Sequence, residues 1–192
     1  MSHAGDDQII DPRFLGPRVG VVVERDDPEQ LGRVRVRVPG LVEPASAWAR
    51  PFGTGWGGST NMGAFGVPAV GAEVVVFFEA GDVDAPLYTG GYWGLPDGES
   101  EVPLEARKTP PDAVVLATEH FRIEVDQTEG ERRLRLTNLV TGDNIILDAE
   151  RNSIMIAGTT LVRIESEGAI ELDAPVVTIA GRAVEVGIER EI

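Results

Sequence analysis

Carboxylates are the most abundant reactive groups in this chain: 32 of its 192 residues are Asp or Glu. Two acids held at a fixed separation across a cleft could hydrolyse a glycosidic bond. The local pairs that come closest, Glu99/Glu101 and Glu129/Glu131, fall in linker or turn sequence, and the solvated-surface reading outweighs the catalytic one. Ser–His–Asp catalysis needs an oriented histidine. The chain has only His3, in its polar start, and His120, at the start of a strand. With no cysteine there is neither a disulfide framework nor a thiolate metal site, although carboxylates could hold a hard cation weakly. A metal on His120 is outweighed by an ordinary surface or interface histidine. No cofactor and no enzymatic activity are expected.

Arg33, Arg35 and Arg37 alternate with Val34, Val36 and Val38, so the three guanidinium groups leave one face of a strand. They form either a solvated face or a contact row for an acidic neighbour. Trp48, Trp56 and Trp93 read as packing residues rather than a ligand platform.

Net charge is −15, and the part after Gly94 holds 20 of the acidic and 10 of the basic residues. Single-stranded nucleic acid would need a positive groove with stacking aromatics. The field here has the opposite sign, and only 11 residues are Phe, Trp or Tyr, so nucleic-acid binding is not expected. The start, MSHAGDDQII, lacks the apolar stretch of a secretory signal. Apolar runs such as Val74–Phe78 are strand-length, far short of a membrane span.

Period-two alternation recurs along the chain, while no window keeps helical apolar spacing for three turns. Strands are predicted near Pro17–Glu24, Arg33–Val38, Ala47–Pro51, Glu73–Phe78 and Leu87–Thr89. Within 67–94, Val74, Val76 and Phe78 share a strand face, Gly81 and Asp82 supply a turn, and Pro86 begins the next strand. The spacing of Pro68, Gly71, Glu73, Val74, Val76, Phe78, Gly81, Asp82, Pro86 and Gly90 closely resembles the OB-fold of contractile-phage central spike proteins (baseplate assembly protein V) and of the related type VI secretion spikes. GRVRVRVP at 32–39 and WARP at 48–51 resemble that family's second and third barrel strands, and 53–66 its variable loop.

Residues 95–112, with four prolines and many charges, read as a linker that leaves no room for the lysozyme domain some spikes of the family insert there. Beyond Ala113 apolar pairs recur: Ile123 with Val125, Leu134 with Leu136, Ile145 with Leu147, Ile154 with Ile156. From Val162 and Ile164 the pairs follow every seven or eight residues to Val184 and Val186. One thin ribbon cannot cover its own edges. Three chains wound about an axis would pool the inward pairs into one core; a single-chain solenoid is the alternative, but its coils need about 20 or more residues per turn. The resemblance implies the same intertwined trimer, and it implies no iron-bound His-x-His apex, since that motif is missing here.

The expected fold is therefore all-β. It has an extension (1–16), an OB barrel (17–94), a linker (95–112) and an intertwined homotrimeric β-helix or β-prism needle (113–192). The resemblance implies a structural spike of a phage tail baseplate or phage-like particle, made in the host cytoplasm and touching the target envelope transiently. It would bind a separate trimeric hub, with Arg33, Arg35 and Arg37 as candidate contacts. About 16 residues precede the barrel, too few for the hub domain of type VI spikes, which favours the phage setting. The alternatives are a tail-associated envelope-degrading glycosidase and a monomeric OB ligand-binding module. The repeat-like end, VEVGIEREI, suggests that a PAAR-like tip protein caps Val184, Val186, Ile188 and Ile192. Deleting residues 187–192 is expected to abolish co-purification of such a tip protein; retained binding would refute the assignment.

Overall fold

A computed structural model describes residues 14–53 and 60–183. The chain is all-β apart from single 3-10 turns, and it divides between Val102 and Pro103 into two units. Residues 95–102 of the expected linker thus belong with the first unit and residues 103–112 with the second.

In the first unit, strands β1 (Arg18–Glu24), β2 (Arg35–Arg37), β3 (Arg50–Pro51), β4 (Glu73–Phe78) and β5 (Pro86–Thr89) form a sheet in the order β2-β1-β4-β5-β3. All pairs are antiparallel except β3 with β5, and a Val34–Ala49 bridge links the approach to β2 with the approach to β3. That bridge closes the sheet on itself, which removes open edges. Alternation fills the interior as expected: Val34, Val36 and Val38 from around β2, Val74, Val76 and Phe78 from β4, with Val22, Ala49 and Tyr88. Phe14 packs edge-on against Phe78, ring centroids 5.0 Å apart. The Tyr88 hydroxyl, inside this core, donates to the Gly32 carbonyl at 2.7 Å, so its polar end is satisfied.

Two turns position the strands. Between β1 and β2, the Asp27 carboxylate accepts the backbone N–H groups of Glu29, Leu31 and Arg33 and two guanidinium N–H groups of Arg33. Between β4 and β5, Gly81 takes φ +78° and Asp82 accepts the Asp84 N–H, as the Gly-Asp signature requires.

In the second unit, β6 (Ala113–Ala117), β7 (Phe121–Asp126), β8 (Arg133–Asn138), β9 (Asn144–Asp148) and β10 (Ser153–Ala157) form one antiparallel meander in chain order. These strands pair within a single chain, whereas the sequence reading expected pairing between chains. No strand is assigned from 158 to 177; a two-residue hairpin, β11 (Thr178–Ile179) and β12 (Arg182–Ala183), follows. The expected short strands around Val162–Ile164 and Ile170–Leu172 are thus not formed in one copy. A two-residue apolar pair buries too little to offset the entropy of ordering its unit without a partner edge.

Gly20 on β1 tests the barrel packing. A Cβ there would sit 2.7 Å from Val76 Cγ2 and 3.4 Å from the Arg37 carbonyl. Gly20→Ala is expected to destabilise the barrel by about 1–3 kcal/mol in denaturant unfolding, because the core cannot yield without moving β4.

Candidate interaction surfaces

The meander of the second unit has two unlike faces. Register places Val114, Val125, Leu134, Leu147 and Ile154 in one row across the five strands, and Leu116, Ile123, Leu136, Ile145 and Ile156 in the next. All ten side chains point to the same side. None is buried: Ile154 is 75 % exposed, Leu116 65 % and Leu136 39 %. Completing the burial of ten such half-covered side chains is worth on the order of 10 kcal/mol per copy. A continuous apolar face this large marks an interaction surface rather than ordinary scatter.

The opposite face is charged on β7 and β8 and is buried most deeply on β7. Glu124 and Asp126 on β7 are each 2 % exposed. Lys108, the only lysine of the chain, donates to Asp126 at 2.7 Å, to Glu131 at 2.9 Å and to the Thr128 hydroxyl at 3.0 Å. Glu105 pairs with Arg122, and Arg133 reaches Glu124 at 3.4 Å. The stretch read as linker is therefore a strap that neutralises the polar face of β7. Burial pushes the Asp126 carboxyl up, but hydrogen bonds from Lys108 and Thr128 outweigh it and hold the group at about 2.

The arginine row lies on one face of the barrel, as the alternation requires, and each member has an acid within its own unit. Arg33 pairs with Asp27 and Glu29 and stacks over Trp48, Arg35 pairs with Glu24, and Arg37 pairs with Glu43. Arg33 is nearly covered, with a side chain 14 % exposed, while Arg35 and Arg37 stay accessible. The Arg33 hydrogen bond, with the three backbone N–H donors, holds the Asp27 carboxyl far below the usual range despite desolvation. Trp93 is exposed beside Tyr92 and Leu95. Trp56 lies outside the described residues, as do His3 and Val184, Val186, Ile188 and Ile192.

One member of each acid pair is already engaged within its own unit. Glu101 accepts the Gly94 N–H at 2.6 Å, and Glu131 is engaged by Lys108. A cavity of about 730 Å³ at one end of the meander does gather Asp126, Glu129 and Asp148 with Arg132 and Arg133. Asp148 is held below its ordinary value, chiefly by the Arg151 N–H, and Asp126 by Lys108 and Thr128. A glycosidase acid needs the opposite shift. His120 is an exposed turn residue whose carbonyl accepts the Leu139 N–H. Among the described residues no three His, Cys, Asp or Glu side chains converge as metal ligands.

Residues 18–93 match the family described as the type VI secretion system/phage-baseplate injector OB domain. Over 150 residues the chain is 30 % identical to the type VI secretion system spike protein VgrG1c of Pseudomonas aeruginosa, which takes in 73 % of this chain and 20 % of that protein. It is 30 % identical over 155 residues to the actin cross-linking toxin VgrG1 of Vibrio cholerae (73 % of this chain, 13 % of that protein). To the spike protein VgrG5 of P. aeruginosa it is 37 % identical over 103 residues, 49 % of this chain and 12 % of that protein. The chain thus spans a fifth or less of these relatives. The 73 % share exceeds the whole first unit, so the similarity runs into the meander. The barrel is an injector OB domain of this family. The chain is a relative of the spike proteins of phage baseplates and type VI secretion systems.

The Lys108 strap predicts an acid response. The Asp126 pKa is depressed from 3.8 to about 2, so its contribution is complete above about pH 4 and is lost as pH falls through about 2. Lys108→Met is expected to lower the unfolding midpoint of the second unit at neutral pH and to flatten its decline between pH 4 and 2. Equal pH profiles for the two proteins would contradict the strap.

Proposed function

We propose that this chain is a homotrimeric central spike of a contractile injection particle, a phage tail baseplate or its equivalent. The observation that carries the reading is the ten-residue apolar face of the meander, left open in a single copy. Three copies facing a common axis would turn three such faces inward into one core and leave the strapped, charged faces outside. The exposed apolar side chains of 158–177, among them Leu161, Ile164, Ile170 and Leu172, would continue that core once neighbouring chains supply strand partners. The role is mechanical: the OB domain attaches the spike to a trimeric hub, and the acidic needle pierces the target envelope when the sheath contracts. Arg35 and Arg37, the accessible members of the arginine row, are the candidate hub contacts. The net charge of −15 keeps the needle from adhering to anionic envelope components. A PAAR-like tip protein on residues 184–192 belongs to the same proposal.

Substitutions on the two faces of the meander test it. Leu136→Asp places a charge in the proposed axis and is expected to abolish a detergent-resistant oligomer band on an unboiled gel. Met155→Glu, on the opposite face of β10, is expected to keep it. A band that survives Leu136→Asp would refute burial of this face.

A further inference from the structure

The chain changes character at one corner. Up to Ala157 every strand finds its partner within the same copy, and from 158 to 177 none does. The corner is held by a residue from another part of the meander. Asp143, in the turn between β8 and β9, accepts the Thr159 backbone N–H at 2.6 Å and the Thr159 hydroxyl at 2.9 Å, both on Oδ1. Its Oδ2 accepts the Thr141 hydroxyl at 2.7 Å.

The turn that carries Asp143 is itself fixed. Asn138 accepts the Val140 and Thr141 N–H groups on its side chain, the Asn138 N–H donates to the Asp143 carbonyl, and the Asn144 amide donates to the Gly142 carbonyl. Asp143 is thus a rigid post to which the exit of β10 is tied.

Gly158 lets the chain bend tightly there. A Cβ at Gly158 would lie 2.9 Å from Val162 Cγ2 and 3.0 Å from the Leu161 carbonyl oxygen, so a side chain there would push both neighbours away. The bend brings Leu161 and Val162 to a cavity of about 510 Å³ at one end of the apolar face, beside Phe121, Leu136, Ile145 and Ile156. The first apolar residues after the corner, Leu161 and Val162, therefore line a cavity on the face that a single copy leaves open.

We infer that Asp143, Thr159 and Gly158 form a register post for assembly: they fix where, and in which direction, the chain leaves its own sheet to pair with other copies. The inference rests on the trimeric reading above. Without a fixed exit, the seven- and eight-residue repeat beyond Val162 could engage neighbouring chains one unit out of step. Each unit offers nearly the same apolar pair, and sheets with weakly distinguished registers slip. The post removes that ambiguity at the first unit, so the rest follows in step. Asp143 is a positioning residue, acting through Thr159 on the path of the chain.

The test compares the full chain with Asp143→Asn, Asp143→Ala and Gly158→Val. Native mass and trypsin cleavage after Arg163 are the readouts. Asp143→Asn keeps an oxygen that accepts both Thr159 donors and is expected to match the unmodified protein. Asp143→Ala and Gly158→Val are expected to give mixed assembly masses and cleavage after Arg163 about tenfold faster or more. Cleavage within the barrel should not change, which separates a loosened corner from general unfolding. The inference is overturned if Asp143→Ala assembles to the same single mass with the same Arg163 cleavage rate, or if Asp143→Asn fails as badly as Asp143→Ala. A monomeric unmodified protein would overturn the trimeric reading itself, and the assembly role of the corner with it. Faster Arg163 cleavage in Asp143→Ala alone would then report only a local clasp.

Discussion

A β-sheet with ten apolar side chains on one side must cover that side. Among the described residues of the second unit only Leu161 and Val162 begin to do so. Period-two alternation from Val114 to Ile156 leaves no freedom here: once β6 to β10 pair in register, all ten side chains emerge together. The same alternation forces Arg122, Glu124, Asp126, Arg133 and Arg135 to the other side. That side is stabilised by the strap, whose Lys108 and Glu105 compensate buried charge that would otherwise be costly. One face is partly neutralised within the chain, and the other leaves its apolar side chains open.

The barrel solves the same edge problem differently. Its five strands close through the Val34–Ala49 bridge, and its interior is filled by small β-branched side chains with Tyr88 and Phe78 at larger gaps. It needs no second copy to bury its core, and its surface ion pairs are internal.

Much of this was legible in the sequence. Val34, Val36 and Val38 against the three arginines, and Val74, Val76 and Phe78 after the Pro68–Gly71 turn, placed β2 and β4 within two residues, whereas the third strand, expected over Ala47–Pro51, is only Arg50–Pro51. The alternation that exposes Leu136 and Ile145 was equally visible, since period two is indifferent to whether the covering partner is near or far. Other features were not legible, because they depend on which groups the fold brings together. The Asp27 carboxylate that ties down Arg33 reaches donors two, four and six residues on, and only the turn geometry aligns them. Lys108 could have been flagged as a lone lysine in proline-rich sequence, but its three acceptors come from 18 to 23 residues away. Repetition suggested strand-turn units from Ala113 onward, with tighter spacing from Val162. The structure separates them into strands of five or six residues that form the meander, a stretch from 158 to 177 with no strand, and one two-residue hairpin. A five-residue ladder buries and bonds enough to hold a meander, whereas a two-residue pair stands only where a tight turn brings its partner back, as in β11–β12.

The central claim is that other copies of this chain cover the open face of the meander. The most direct measurement is the native mass of the unmodified 192-residue chain in solution by light scattering. The account predicts a single species at about three times the 20.6 kDa chain mass, independent of dilution across the micromolar range. A species at 20.6 kDa would contradict it, leaving the barrel intact but the apolar face uncovered.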